Sequence, residues 1–123
     1  MVRNMRITAG EITATAEINE SKTANAIWDA LPIQARASTW GDEIYFSTPV
    51  TLDEDQAKEA VGMGDLGYWP PGKAFCIFFG PTPVSRGNEI RPASPVNVFG
   101  KVAGDPKAFK AVRSGAKIVI ERA

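Results

Sequence analysis

The sequence contains no histidine, and this absence excludes the most common forms of acid–base and nucleophilic catalysis. Without an imidazole there is no Ser-His-Asp triad, no Cys-His pair and no zinc site with a histidine ligand. The single cysteine, Cys76, excludes a disulfide bond within the chain. This agrees with a reducing compartment, and we expect a cytoplasmic protein.

An excess of charge of either sign is also lacking, because 14 basic residues balance 14 acidic ones. Nucleic-acid-binding proteins usually carry a basic surplus, so we expect no nucleic-acid partner. No apolar run approaches the roughly 18 residues of a membrane span, and the first ten residues lack the apolar core of a signal peptide. The acidic group at 53–55 lacks the spacing of a calcium loop, so we expect neither a metal nor a cofactor.

Alternating apolar residues predict about eight short strands. Residues 5–18 form two of them around Gly10, and residues 33–48 form a hairpin whose two-residue loop is Gly41-Asp42. Later strands are predicted from the segments DLGYW, AFCIFFG, VNVFGKV and AKIVIER. No linker divides the 123 residues, so a single domain over 1–123 is expected.

Two short helices are predicted between these strands. An apolar stripe from Ala24 to Leu31 follows Ser21, a suitable N-cap, and ends at Pro32. A second helix begins at Asp105 and ends before Gly115. One or two further helical turns are expected within residues 51–64, which begin with acidic residues. Many short strands with two capping helices indicate a mainly β barrel or sandwich.

The strand AFCIFFG (residues 74–80) is apolar on both faces, which predicts burial on both sides. In a small barrel, one face fills the interior and the other is covered from outside. Trp28 or Phe109 is expected to supply that cover. Cys76 is therefore interpreted as a core thiol rather than a nucleophile, because a reactive thiol needs exposure and a cationic neighbour.

One face of the predicted hairpin carries aromatic and charged side chains, and the strand ends at 68–69 and 79–82 carry more. Strand ends at barrel rims are frequent binding sites, and one Arg and one Glu among aromatic rings suit a small acidic or peptide-like ligand. Solvated surface residues are the alternative interpretation for each side chain taken singly. The candidate ligand-binding residues are Arg36, Trp40, Glu43, Tyr45, Tyr68, Phe79 and Thr82.

Three segments carry a resemblance to a known family: WGDEIYF at 40–46, GDLGYWPPGKAFCIFFGPTP at 64–83, and PVNVFGKV at 95–102. Occurring in this order, they resemble a small prokaryotic family with a cyclophilin-like fold, whose biochemical function is not established. The resemblance covers most of the chain from Met5 onwards. It implies a closed eight-stranded antiparallel barrel with helices at its ends, in agreement with the count of elements above.

The resemblance leaves several functions open. Cyclophilins are peptidyl-prolyl isomerases that use an arginine, aromatic residues and a histidine; this chain has no histidine, and only Arg36 suits the electrophilic role. Similar barrels also serve as subunits of amide-cleaving enzyme systems. The Pro-rich segment at 81–95 is a third possibility, as a contact surface for a partner protein. We expect a module that binds a small molecule or peptide, with prolyl isomerisation or a subunit role as alternatives.

Overall fold

A computed structural model describes residues 3–123. Within this range, nine strands, one α-helix and two short 3-10 helices are formed. The strands are β1 (Arg3–Ala9), β2 (Ile12–Ile18), β3 (Ile33–Arg36), β4 (Ser38–Thr39), β5 (Glu43–Ser47), β6 (Asp65–Trp69), β7 (Ala74–Phe78), β8 (Asn97–Val102) and β9 (Lys117–Arg122). The helices are α1 (Lys22–Ala30) and the 3-10 helices Pro70–Gly72 and Pro106–Ala111.

The strands form one antiparallel sheet in the order β3-β9-β1-β2-β8-β6-β7-β5-β4. The two strands at the ends of this order, β3 and β4, are consecutive in the chain and are separated only by Ala37. One stretch of chain therefore lies at both edges, and the sheet forms an almost closed barrel. This confirms the predicted mainly β barrel. The nine strands agree with the predicted eight or so, because β3 and β4 amount to one strand interrupted at Ala37.

The interior of the barrel is filled by side chains from alternate positions of the strands. Phe75 lies at its centre: its ring stacks on Phe46 at a centroid distance of 4.9 Å and meets Phe99 edge-on at 5.1 Å. Aliphatic side chains such as Ile7 and Ile120 complete this core and are fully buried. Burial of this apolar surface is the main stabilising contribution to the barrel.

Helix α1 packs against β8 and begins and ends where its sequence predicts. The Ser21 hydroxyl accepts a hydrogen bond from the Ala24 amide at 3.1 Å, which satisfies one of the unpaired N–H groups of the first turn. Ala24 and Ile27 are fully buried. The helix ends at Ala30, just before Pro32.

The second predicted helix is present as a 3-10 helix that is shorter than expected. The Asp105 carboxylate accepts a hydrogen bond from the Lys107 amide at 3.0 Å, as an N-cap should. The helix ends at Ala111, and Gly115 lies beyond it with a positive φ of 91°. Only Phe109 is buried on this helix, so little packing favours a longer one.

The expected helical turns in residues 51–64 are wrong. This segment is irregular and forms isolated bridges, Lys58 with Val96 and Val61 with Ile90. The residues at helical spacing, Ala57, Ala60 and Val61, are few and mostly small, so a helix here would have little apolar surface to bury. The backbone instead pairs with the chain at 90–96.

The predicted hairpin at 33–48 is present only in part. Ser38 lies opposite Tyr45 around the expected loop, but Arg36 lies opposite Lys117 of β9. The chain leaves one neighbour for another between these residues, because this strand joins both edges of the barrel. The alternation of residues in the sequence does not show that β3 pairs with β9 while β4 pairs with β5.

A second apolar cluster lies outside the barrel. Ala74, Cys76 and Phe78 point away from the interior and pack beneath Ile90 and Val96. Residues 81–96, here called the covering segment, thus supply the cover over β7. The strand is buried on both faces, as predicted, but a loop covers it rather than a helix.

The expectation that Trp28 or Phe109 covers β7 is therefore wrong. Two guanidinium groups lie over the Trp28 ring, that of Arg3 at 5.5 Å and that of Arg122 at 4.7 Å from its centroid. Phe109 packs on Phe79 at a centroid distance of 6.2 Å and belongs to the main core.

No helix among the described residues has both the length and the apolar character needed to cross a membrane.

Candidate functional site

A cavity of about 290 Å³ opens on the outside of the barrel, between strands β5–β7 and the covering segment. We call it the outer-face cavity. Its size suits a single ring or one side chain of a longer ligand. Its lining residues are Trp40, Glu43, Tyr45, Trp69, Cys76, Pro92, Ala93 and Val96.

The alternation of side chains along neighbouring strands creates the floor of the outer-face cavity. On β5, Ile44 points into the barrel, so Glu43 and Tyr45 on either side of it point outward. Tyr45 lies directly opposite Cys76 of β7, which also faces outward. Trp69 occupies the outward position at the end of β6, next to Ala74 of β7. Three adjacent strands therefore present their outer faces to one space.

Glu43 is the only charged residue type in this lining, and its carboxyl group is buried. The residue is 6% exposed, and its Oε1 atom has no hydrogen-bond partner among the described residues. Burial disfavours the charged form and raises the pKa of Glu43 to about 7, although the Cys76 side chain offsets part of this effect. A buried carboxyl with an unmet hydrogen-bonding capacity is costly for stability and calls for a functional explanation.

Cys76 behaves as the core thiol that the sequence predicts. Burial raises the pKa of this thiol well above its ordinary value, and the nearby Glu43 carboxylate raises it further. Its Sγ atom lies 4.0 Å from the carbonyl oxygen of Ala74. The thiolate is therefore strongly disfavoured near neutral pH, and the thiol contributes shape rather than reactivity to the outer-face cavity.

The covering segment is fixed to the barrel at two points beside the cavity. The indole Nε1 of Trp69 donates a hydrogen bond to the Ser94 hydroxyl at 2.6 Å. At Gly67, an added Cβ would lie 2.8 Å from Cγ2 of Val96, so only glycine allows this close approach. The wall formed by residues 92–96 is thus held in place by β6.

The structure brings three of the predicted site residues, Trp40, Glu43 and Tyr45, together at the outer-face cavity. They are adjacent because the loop at Gly41 places Trp40 opposite Glu43, and the Trp40 amide donates to the Glu43 carbonyl at 2.9 Å. Ligand binding by these residues stays a prediction.

Arg36 lies elsewhere on the barrel. It is exposed on β3, and its guanidinium donates a hydrogen bond to the Gly115 carbonyl at 3.1 Å. It pairs with Lys117 rather than with the strand that carries Tyr45. The structure therefore does not bring the predicted cationic group to the cavity.

Tyr68, Phe79 and Thr82 do not line the outer-face cavity either. Tyr68 is fully buried in the interior, where its hydroxyl donates to the Val50 carbonyl at 2.6 Å and accepts from the Leu52 amide at 3.1 Å. Phe79 belongs to the main core. The Thr82 hydroxyl is buried and donates to a carbonyl within the covering segment. All three side chains have structural partners that explain them.

The candidate ligand-binding residues predicted from the sequence do not include Trp69, Cys76 or the wall at residues 92–96, although the strand end at 68–69 is singled out. The alternation along β6 directs Trp69 away from the interior, opposite to the buried Tyr68. The outward position of Trp69 could therefore be predicted from the sequence. The position of residues 92–96 could not be predicted, because a proline-rich irregular segment has no periodicity that indicates where it packs.

Within residues 3–123, no three Cys, Asp or Glu side chains are grouped closely enough to hold a metal ion.

The model of a protein family described as cyclophilin-like matches residues 3–121. The chain belongs to this cyclophilin-like family. A hypothetical protein of Archaeoglobus fulgidus, whose structure was determined in solution, is 43% identical and has a TM-score of 0.84. The similarity covers 99% of this chain and 95% of that chain. A comparison with curated proteins finds no match. The cyclophilin-like assignment confirms the resemblance seen in the sequence.

Proposed function

We propose that this cyclophilin-like protein binds a small molecule, or one side chain of a peptide, in the outer-face cavity. The observation that carries the proposal is the buried Glu43 carboxyl, whose Oε1 atom has no hydrogen-bond partner among the described residues. A ligand that supplies a hydrogen-bond donor there would satisfy this atom. The remaining lining is mostly aromatic and aliphatic, which favours a ligand with a compact apolar body.

The aromatic lining supports the same proposal. Trp40, Tyr45 and Trp69 offer ring surfaces to one space, and such rings contribute large contact areas at low cost in side-chain entropy. Tyr45 is 36% exposed, so part of its ring surface is accessible to a ligand. Exposed aromatic surface around a buried polar group is typical of a ligand-binding site.

Prolyl isomerisation is less well supported. Rotation about the peptide bond has a barrier of about 20 kcal/mol, and an isomerase lowers it by placing a donor beside the prolyl amide. Arg36, the donor suggested by the sequence, is bound to Gly115 and does not line the outer-face cavity. The geometry thus favours binding over this catalysis.

A screen of ring-sized compounds by NMR, followed through the amide and indole signals of the labelled protein, tests the proposed function. We expect the compounds that bind to shift the indole signals of Trp40 and Trp69 and the amide signals of Ala93, Ser94 and Val96. Tyr45→Ala should weaken their binding by about fivefold, because it removes one aromatic wall.

Trp28→Phe is the matched control, because Trp28 packs on arginine side chains and does not line the cavity. It should leave the affinity unchanged, whereas Trp69→Phe should lower it. Shifts that cluster away from the outer-face cavity, or affinities that Tyr45→Ala leaves unchanged, would contradict the proposed function.

A further inference from the structure

The outer-face cavity combines a buried carboxyl group with aromatic rings and has no positive charge of its own. None of its eight lining residues is a lysine or an arginine. Glu43 contributes the carboxyl, and Trp40, Tyr45 and Trp69 contribute the rings. A buried carboxylate destabilises a protein unless it is paired, and buried carboxylates with a structural role are normally paired with a cation.

The basic residues close in sequence to the outer-face cavity do not line it: Arg36 and Lys73 are exposed, and Arg91 has a partner elsewhere. Arg91, just before the wall residue Pro92, forms an ion pair with Glu89 at 3.0 Å between Nε and Oε1. Asp42, which precedes Glu43, is paired with Lys110 at 3.7 Å. Arg91 and Lys110 are already paired and are not among the residues that line the cavity.

The other ionisable side chains of the lining are Tyr45 on β5 and Cys76 on β7. Neither group carries a positive charge in any protonation state. Trp40 and Trp69, and the wall from the covering segment, contain no ionisable group. No side chain that lines the cavity therefore supplies the positive charge that would complement the Glu43 carboxylate.

We propose that the ligand of the outer-face cavity is a small organic cation: a protonated amine that carries a ring or another compact apolar group. This inference rests on the proposed function and names the class of ligand. The ammonium group binds the Glu43 carboxylate, and the aromatic faces attract the same charge through cation–π interactions. The apolar substituent fills the rest of the 290 Å³.

Cation binding is coupled to the protonation of Glu43. The carboxyl group must be ionised to attract the cation, and burial has raised its pKa to about 7 in the free protein. Raising the pH through 7 therefore strengthens binding, and the bound cation in turn lowers the pKa of Glu43. A neutral ligand that accepts a hydrogen bond from the protonated carboxyl would show the opposite dependence on pH.

The test compares benzylamine, which is a cation between pH 6 and 8, with benzyl alcohol, which has the same ring and no charge. Dissociation constants are measured from the indole signals of Trp40 and Trp69. At pH 8 we expect benzylamine to bind at least about tenfold more tightly than benzyl alcohol. At pH 6 its binding should be about tenfold weaker than at pH 8, since most of the carboxyl is then protonated.

Glu43→Gln removes the charge and keeps the shape of the side chain. It should abolish the advantage of benzylamine and its dependence on pH, while the affinity for benzyl alcohol changes by less than about threefold. Glu17→Gln is the control: Glu17 is an exposed carboxylate on β2, and its replacement should have no effect.

If benzyl alcohol binds as tightly as benzylamine at pH 8, the cation assignment is overturned and the proposed function stands. If benzylamine binds equally well at both pH values and to Glu43→Gln, it does not use this carboxylate, and the assignment is again overturned. Failure of both probes also overturns it, whereas the screen of ring-sized compounds decides the proposed function independently.

Discussion

The carboxyl group of Glu43 titrates near neutral pH because burial against apolar side chains disfavours its charged form. The chain has no histidine, so no imidazole titration overlaps with that of Glu43 between pH 5 and 8. The pH dependence of stability in this range therefore reports mainly on this one side chain. A comparison of the wild type with Glu43→Gln isolates its contribution.

We expect the free energy of unfolding to fall as the pH rises from about 4.5 to about 7. The unfolded chain loses the Glu43 proton near 4.5, whereas the folded chain keeps it until about 7. Between these values the folded state binds the extra proton, so raising the pH removes stability, by about 3 kcal/mol in total. Urea denaturation from pH 4 to 8 measures it.

The Glu43→Gln variant should lack this decline and be more stable than the wild type above pH 7. Below pH 4.5 the two proteins should be equally stable, because the wild-type carboxyl is then neutral as well. Parallel pH profiles for the two proteins would show that the carboxyl is not desolvated in the folded state.

At the residue scale, the sequence predicts which cavity residues lie near one another, but it does not predict that the Glu43 carboxyl is buried. The loop at Gly41 and the alternation along β5 correctly place Trp40, Glu43 and Tyr45 near one another. The burial of Glu43 could not be predicted, because it depends on Cys76 and on the covering segment, which are distant in sequence. A glutamate at an outward strand position is ordinarily solvated.

At the scale of single elements, the covering segment converts an apolar strand face into a cavity. Its residues Ile90 and Val96 pack on the outer side of β7, and its hydroxyl at Ser94 holds the Trp69 indole. The close approach of Val96 to Gly67 fixes its distance from the sheet. A larger residue at position 67 would push the wall away from the barrel.

We therefore expect Gly67→Ala to lower the free energy of unfolding by about 1–3 kcal/mol, because the new methyl group would lie 2.8 Å from Cγ2 of Val96. Amide hydrogen exchange at Val96, whose N–H donates to the Lys58 carbonyl at 3.1 Å, should become faster as this wall loosens. Equilibrium denaturation and hydrogen exchange measure the two effects.

Gly62→Ala is the matched control for this substitution. An added Cβ there meets its nearest neighbour, Oδ2 of Asp65, at 3.4 Å, which is an ordinary contact. Its effect should stay within about 0.5 kcal/mol. Equal effects of the two substitutions would mean that the approach of Val96 to Gly67 does not hold the covering segment.

The strands and helices could largely be predicted from the sequence, but the segments with which they pair could not. Period-two alternation identified the strands, and Ser21 and Pro32 set the bounds of α1. The acidic start of residues 51–64 favours helical turns, yet this segment forms bridges with the covering segment. Local sequence does not encode contacts between two irregular segments.

At the scale of the whole molecule, the barrel depends on strands that are far apart in the chain. The C-terminal strand β9 lies between β1 and β3, so it joins the first strand to the one that spans both edges. Sequence alternation predicted β9 as a strand, but its two neighbours could come only from the family resemblance. The order of strands is a property of the closed barrel rather than of any segment.

We expect a chain that ends at Ala116, and so lacks β9, to lose cooperative folding. Ile118 and Ile120 would be missing from the core, and the edges of β1 and β3 would be left unpaired. Near-ultraviolet circular dichroism and urea denaturation measure the loss. A chain that ends at Arg122 should fold normally; a cooperative transition without β9 would contradict the closed-barrel account.

The most direct test of the central claim is the titration of the Glu43 side-chain carboxyl carbon by NMR, with and without benzylamine. We predict a midpoint at about pH 7 in the free protein and a lower midpoint when benzylamine is saturating. This result would show a buried carboxyl that gains its partner from a cationic ligand. A midpoint near 4.5 in the free protein would contradict the account, because the carboxyl would then be solvated or already paired.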